Sequence, residues 1–208
     1  MPYWWGLSAD LRSARRRHCH LYASWDARSV KSMSDIQVRK LTAADADAFK
    51  NLRIEAARNS PAALPMGPEE LNQQPITEFA RQISGPLQIT FGAFVAGKLI
   101  SIAGLRQEGM SKRRHRATIW GVYTQENYRG QGIARQLMDI LMSEAKANLE
   151  ITMLNLNVHS LNATAKALYA SLGFTCYGTQ HNALQVNGEY IHEDQMELNL
   201  GKLPQGSD

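Results

Sequence analysis

The sequence predicts a single domain of the α/β (α+β) class, in which helices flank one mixed sheet. Strand-like and helix-like patterns follow one another in the order β-α-α-β-β-β-α-β-α-β-β, and no internal repeat is found. A chain of 208 residues with 44% hydrophobic residues can bury one sizeable core, but it is too short for two. No run of about 18 apolar residues occurs, so no transmembrane helix is predicted.

The first predicted elements are a strand over residues 36–41 and a helix over 43–59. Thr42 is a favoured N-cap residue for that helix. The apolar stripe of the helix has one charged member and consists of Phe49, Leu52, Arg53, Ala56 and Ala57. The proline-rich residues 60–75 are typical of a loop, which can include a turn of helix at 69–73.

The later elements follow from the same periodicity arguments. Two hairpin turns are predicted at Ala96-Gly97 and Asn187-Gly188, and the second pair is typical of a type I′ turn. The predicted helices span 76–84, 133–148 and 162–171, and the predicted strands span 88–95, 98–107, 116–123, 151–158, 174–179 and 190–200.

The positive charge of the chain is unevenly distributed. The formal net charge is +4, and residues 1–32 carry all of it, because the remainder holds 17 basic and 17 acidic residues. This segment is compatible with an organelle-targeting peptide, a nucleic-acid-binding arm or a weakly ordered extension. We expect the third: a disordered extension at 1–34, with Met33 as an alternative start, then a domain at 35–201 and a tail at 202–208.

Composition also limits the kinds of site and partner. Two cysteines, Cys19 and Cys176, are too few for a disulfide scaffold, and the six histidines show no metal-ligand spacing, so no metal is predicted. Because the predicted domain is formally neutral, we expect neither nucleic acid nor a membrane as its partner, and we predict a cytoplasmic location.

A glycine-containing loop is the most informative feature of the sequence. It reads Tyr128-Arg-Gly-Gln-Gly-Ile-Ala134 and lies between a predicted strand and a long predicted helix. Glycines let backbone N–H groups approach an anion closely, and a helix N-terminus adds unpaired donors, so a pyrophosphate is a suitable ligand. The loop lacks the Gly-Lys-Ser/Thr ending of a Walker loop and the third glycine of a dinucleotide fingerprint.

Two motifs resemble those of the GCN5-related N-acetyltransferase (GNAT) superfamily. Arg129-Gly-Gln-Gly-Ile-Ala134 matches the Arg/Gln-x-x-Gly-x-Gly/Ala signature, and the block from Asn162 to Phe174 is similar to the second conserved block of the family. The resemblance covers about residues 36–200, and residues 41–65 are similar to bacterial members. It implies a mostly antiparallel mixed sheet in which two central parallel strands splay apart.

The resemblance also implies acetyl-CoA as the co-substrate and places the residues that bind it. Backbone amides of Arg129, Gly130, Gln131, Gly132, Ile133 and Ala134 would hold its pyrophosphate. Its pantetheine arm would pair with Val122, Tyr123 and Thr124, and Asn162 would contact the same arm. Asn162 is also a favoured N-cap residue for the helix that follows. Tyr169 matches the general acid of the family, and a phenol with a reference pKa near 10 is protonated at neutral pH.

The general base is left open by the sequence. Many relatives carry a carboxylate on the strand before the loop, but residues 117–123 contain none. The candidates are Glu108, His159, Glu193 and Asp194. We expect residues 60–75 to cover the substrate cleft.

The predicted function is transfer of an acetyl group from acetyl-CoA to a primary amine, by direct attack in a ternary complex. The expected acceptor is a small molecule. A protein or peptide acceptor and a non-catalytic acyl-CoA sensor are the alternatives. Homodimers are common in the superfamily, but nothing in the sequence determines the oligomeric state.

Overall fold

The computed structural model of the protein describes residues 36–148 and 150–201. The predicted extension at 1–34, the alternative start at Met33 and the tail at 202–208 lie outside the described residues. No helix in the described ranges is both long and apolar enough to cross a membrane.

The described chain forms a seven-stranded sheet with helices on both faces. The helices are α1 (Ala46–Asn59), α2 (Pro68–Gln73), α3 (Ile76–Ser84), α4 (Ile133–Ala147) and α5 (Ala163–Ser171). The strands are β1 (Ile36–Lys40), β2 (Gln88–Val95), β3 (Lys98–Gln107), β4 (Arg116–Thr124), β5 (Met153–His159), β6 (Thr175–Val186) and β7 (Glu189–Asn199). Their order in the sheet is β1-β2-β3-β4-β5-β7-β6, and β4 and β5 are paired in parallel. The predicted fold class is confirmed.

The two parallel strands separate after a short contact. Their register ends at Thr118 opposite Asn155, although β4 continues to Thr124 and β5 to His159. The other edge of β4 remains paired with β3 up to Thr124. The second half of β4 therefore presents backbone groups to a gap in the sheet, as the family resemblance implies.

A bulge in β4 lies at the beginning of this gap. The register shifts from Gly104 opposite Trp120 to Ile102 opposite Tyr123, so two residues of β4 face one residue of β3. One of the two is Gly121, with φ +63°, a conformation that glycine adopts at little cost. A glycine within a strand pattern was the available sequence signal for this bulge.

Each face of the sheet has its own apolar core. On one face, α4 contributes Leu137 and Leu141, which are fully buried among residues of β3, β4 and β5. On the other, α1 and α3 contribute Phe49 and Phe79, whose rings meet edge to face at 6.1 Å. The predicted stripe of α1 is buried in full, including its charged member Arg53.

The largest difference from the predicted boundaries is at β6, whereas β5 begins only two residues later than predicted, at Met153. Strand β6 continues to Val186 instead of ending at 179, and it pairs with β7 through a register irregularity between Gln180 and Leu184. The irregularity includes Asn182, with φ +54°. This part of β6 is mostly exposed at the edge of the sheet, so its side chains lack the alternation from which strands are predicted. Within the loop predicted at 60–75, α2 lies where a turn of helix was predicted at 69–73 and begins one residue earlier.

Candidate active site

A cavity of about 520 Å³ lies at the end of β4, beside the gap in the sheet. Most of the acetyl-CoA-binding residues predicted from the sequence line this cavity. They are Val122, Tyr123, Thr124, Arg129, Gly130, Gly132, Ile133, Ala134, Asn162 and Tyr169. Gln131 is the one member of the glycine loop from 129 to 134 that does not line it. Ser60 and Ala63, from the segment after α1, line the same cavity. The strand end, the glycine loop and α5 thus form one site.

The glycine loop places the N-terminus of α4 at this cavity. Gly130 and Gly132 have φ +74° and +77°, and a Cβ atom on either would meet no heavy atom within 4 Å. The helix has no side-chain cap, and its first intrahelical hydrogen bond runs from Gln136 N to Gly132 O. The amides of the first turn and the positive end of the helix dipole are available to an anion. The residues present therefore fit a pyrophosphate.

Arg129 connects the loop to the end of β4. Its Nε donates to the carbonyl oxygen of Thr124 at 3.0 Å, and its guanidinium lies 5.8 Å from the centre of the Tyr123 ring. On the β3 side, Ser101 Oγ donates to the carbonyl oxygen of Tyr123 at 2.8 Å. These contacts hold the strand end in place while its opposite edge faces the gap.

Tyr169 enters the cavity from α5. Its side chain is 6% exposed and packs edge to face on Phe174, with the ring centres 6.2 Å apart. Burial raises the pKa of Tyr169 to about 12, so the phenol is protonated across the physiological range. Asn162 begins this helix and accepts a hydrogen bond from Ala165 N at 3.0 Å, which confirms its N-cap role.

Asp194, one of the candidate bases, is held in a hydrogen-bonded ion pair. Lys166 Nζ lies 2.6 Å from its Oδ2, while Ser160 Oγ and Thr179 Oγ1 each donate to its Oδ1 at 2.8 Å. The hydrogen bond from Lys166, followed by those from Ser160 and Thr179, lowers the pKa of Asp194 to about 2. A carboxylate that is stabilised in its charged form to this degree is a weak proton acceptor.

Glu108 lies at the wrong end of β4 to reach the cavity. Its backbone N–H donates to the carbonyl oxygen of Arg116, the first residue of β4, and its carboxylate lies 3.7 Å from Arg113. The cavity adjoins residues 122–124 at the other end of the strand. At about 3.3 Å per residue, the strand separates Glu108 from the cavity by roughly 20 Å.

His159 and Glu193 face each other across β5 and β7, at the end of the sheet where the gap lies. Their neighbours Val158 and Asp194 form the adjacent pair and therefore point to the opposite face. Glu193 accepts a hydrogen bond from Asn157 Nδ2 at 3.3 Å.

Sequence reasoning missed Glu55, a carboxylate that does not line the cavity itself but contacts Tyr123, which does. Its Oε1 accepts a hydrogen bond from Tyr123 Oη at 3.1 Å, and its Oε2 accepts one from Gln125 Nε2 at 2.6 Å. Asn59 Nδ2 also donates to Tyr123 Oη, at 3.3 Å. The position of Glu55 on the edge of the apolar stripe of α1 gives no sign that it approaches β4, since that approach depends on how α1 packs on the sheet.

The splayed parallel pair, with a helix N-terminus at the gap, agrees with the sheet that the family resemblance implies. Residues 38–194 match the family described as the acetyltransferase (GNAT) domain. Because the match spans more than half of the sequence, the chain belongs to this family and is an acyltransferase enzyme.

Solved structures share the fold. The chain is similar to yncA of Salmonella typhimurium, solved with its cofactor acetyl-CoA, at 21% identity and a TM-score of 0.68, over 83% of this chain and 98% of that one. It is similar to an N-acetyltransferase from Staphylococcus aureus at 22% identity and a TM-score of 0.67, over 79% and 98%. It is also similar to the ribosomal-protein-alanine N-acetyltransferase of Brucella melitensis at 25% identity and a TM-score of 0.65, over 79% and 99%.

Proposed function

We propose that the enzyme transfers the acetyl group of acetyl-CoA to the primary amine of a small molecule, by direct attack in a ternary complex. The main observation in support of this proposal is that the glycine loop, the free edge of β4 and Tyr169 line the same cavity. Acetyl-CoA has an anionic pyrophosphate, an arm with amide groups and a reactive thioester, and the cavity offers a matching surface for each part.

Backbone groups are proposed to do most of the binding. The amides of residues 129–134 hold the pyrophosphate, and the free edge of Val122–Thr124 pairs with the pantetheine arm as an added strand does. Asn162 keeps its cap on α5 and presents the rest of its side-chain amide to the same arm. Such a site needs no cluster of basic residues, which agrees with the neutral charge balance of residues 33–208.

Tyr169 is proposed to stabilise the thiolate that leaves when the amine nitrogen bonds to the acetyl carbon and the carbon–sulfur bond breaks. A thiol has a reference pKa near 8.5, so full transfer from a phenol with a pKa of about 12 would cost roughly 5 kcal/mol against an unperturbed thiol. This difference favours a hydrogen bond from Tyr169 Oη in which the proton is only partly transferred. The proton that the amine loses to the base is finally taken up by the CoA thiolate, so CoA leaves as the thiol and Tyr169 keeps its own proton.

Glu55 joins the candidates for the group that receives the proton of the amine. It contacts Tyr123 and Gln125 at the end of β4, whereas Glu108 is remote and Asp194 is bound to Lys166. We propose Glu55 first, directly or through water, and keep His159 and Glu193 as the alternatives.

The position of residues 60–63, which follow α1, supports the proposal that the acceptor is a small molecule. Residues Pro61–Ala63 contact β5 and β6, and Ser60 and Ala63 line the cavity, so this segment bounds the side away from the glycine loop. The similarity to the ribosomal-protein-alanine N-acetyltransferase of Brucella melitensis favours a second candidate, the N-terminal amine of a protein.

A release assay tests the proposal. The purified protein is incubated with acetyl-CoA and a panel of small amines and of peptides with free N-termini, and free CoA is measured. Acceleration by small amines is the expected result. Acceleration by peptides alone would establish the second candidate, and no acceleration by any amine would overturn both.

A further inference from the structure

Arg53 is a buried cation in the apolar stripe of α1. Its side chain is 7% exposed, and within 36–148 and 150–201 no oxygen accepts a hydrogen bond from its guanidinium and no carboxylate forms an ion pair with it. Its Nε is fully buried without a partner. Its contacts are with two rings, Trp120 at 5.4 Å and Phe49 at 5.8 Å from Cζ. Such cation–π contacts compensate only part of the cost of burying a charge.

A second unpaired donor lies beside it. Trp120 Nε1 is buried with no hydrogen-bond partner among the residues that the structure describes. Its indole ring lies over Gly104, where a Cβ atom would meet Nε1 at 2.8 Å. Thr90, opposite Gly104 on β2, has an unpartnered buried hydroxyl as well. Residues that pair directly across strands point to the same face, so Thr90 shares the face of Trp120. Buried polar groups are normally satisfied, so this layer is unusual, and Arg53 is its only member that carries a charge.

The position of Arg53 links this layer to the reaction site. A Cβ atom on Gly121 would lie 3.2 Å from Arg53 Nη1, so the guanidinium reaches the bulge of β4. The next residue, Val122, lines the cavity. Burial lowers the pKa of Arg53 to about 10, which leaves the group charged at neutral pH. A fixed positive charge therefore lies at the bulge where the gap between β4 and β5 begins, on the face of the sheet that α1 covers, although Arg53 does not itself line the cavity.

We infer that the guanidinium of Arg53 binds a carboxylate of an acceptor seated in the gap, so that the substrate class is small amines that also carry a carboxylate, such as amino acids. This inference rests on the proposed function. A guanidinium presents its donors in a planar fork that matches the two oxygens of a carboxylate. An acceptor of this kind supplies the missing counter-charge and is oriented with its amine toward the thioester.

The test compares acceptors that differ only in charge. CoA release is measured with the twenty standard L-amino acids, with their amides, and with 1-aminoethylphosphonate as a phosphorus counterpart of alanine. At least one acid is expected to exceed its amide by about 10- to 100-fold in kcat/KM, because a charged hydrogen bond contributes about 1.5–3 kcal/mol. Amides equal to or better than all acids would overturn the inference, and so would a phosphonate preferred to alanine.

Substitution identifies the residue responsible. Arg53→Met is expected to reduce the ratio of acid to amide kcat/KM by at least tenfold, mainly through the KM of the acid. Arg58→Met, at an exposed position of the same helix, is the matched control and should keep the wild-type ratio. If Arg53→Met lowered the activities with acid and amide equally, the ratio would stay unchanged. Arg53 would then have only a structural role, and the inference would be overturned. Failure of the proposed function can be distinguished from failure of this inference. In the first case neither the amino acids nor their amides would accelerate CoA release.

Discussion

Lys166 Nζ lies 2.6 Å from Asp194 Oδ2 and joins α5 to β7. Strand β6 is joined to the same carboxylate through Thr179, and the β5–α5 connection is joined to it through Ser160. Since α5 carries Tyr169 into the cavity, this cluster determines where the phenol stands relative to the gap. We therefore assign Asp194 a positioning role rather than the role of base.

Asp194→Asn should lower the free energy of unfolding of the protein. The substitution keeps the shape of the side chain but removes the charge that Lys166 and two hydroxyl groups stabilise. Charged hydrogen bonds contribute about 1.5–3 kcal/mol, and the partial exposure of Lys166 places our expectation near the lower end, at about 2 kcal/mol. Urea unfolding measures the difference, with Asp139→Asn on the exposed face of α4 as the control. An equal midpoint in both variants would contradict the assigned role.

The same ion pair predicts how stability depends on pH. The pKa of Asp194 is about 2 in the folded protein, below its reference value near 3.8 in the unfolded chain. The stabilisation is therefore complete above about pH 4 and is lost as the pH falls toward 2. Wild-type and Asp194→Asn unfolding midpoints should converge over this window, and a difference that stays constant down to pH 2 would exclude the linkage.

Gly132→Ala should impair binding of acetyl-CoA as well as stability. At φ +77° an alanine is strained by about 1–2 kcal/mol although its methyl group has free space, so the loop relaxes and its amides turn away from the anion. We expect roughly tenfold weaker acetyl-CoA binding by calorimetry. Gly188→Ala, at φ +86° in the β6–β7 turn and also in open space, is a control with matched strain. Equal loss of affinity in both variants would show that strain alone is responsible.

The sequence was sufficient where local patterns determine structure. The stripe of α1, the two glycine hairpin turns and the loop at 128–134 were visible because each depends on neighbours within a few residues. Arg53 illustrates the limit: its place in the stripe was predicted, but the absence of a counter-charge depends on how α1 packs on β4. The same packing brings Glu55 to Tyr123. Interactions of this kind join residues about 70 positions apart, and no spacing along one chain reveals them.

Tyr169→Phe should lower kcat by about 10- to 100-fold while the Kd for acetyl-CoA changes little. The phenylalanine ring keeps the packing on Phe174 but removes the hydroxyl that stabilises the leaving thiolate, a charged hydrogen bond of about 1.5–3 kcal/mol. Because the pKa of Tyr169 is about 12, wild-type kcat should show no alkaline decline from the phenol up to about pH 10. Tyr190→Phe, at an exposed tyrosine, serves as the control for loss of a hydroxyl. Equal activity of Tyr169→Phe and wild type would reject the role.

Glu55→Gln should slow the reaction at neutral pH, and its activity should recover as the pH rises. If Glu55 accepts the proton of the amine, the glutamine variant loses about 10²-fold in kcat/KM at pH 7. At higher pH more of the acceptor is neutral in solution, so the need for a base diminishes and the two enzymes converge. Glu108→Gln, remote from the cavity, should follow the wild-type profile throughout. A Glu55→Gln deficit that is the same at every pH would mean that the carboxylate only supports Tyr123 and Gln125, and Glu193→Gln and His159→Gln would then be compared in the same way.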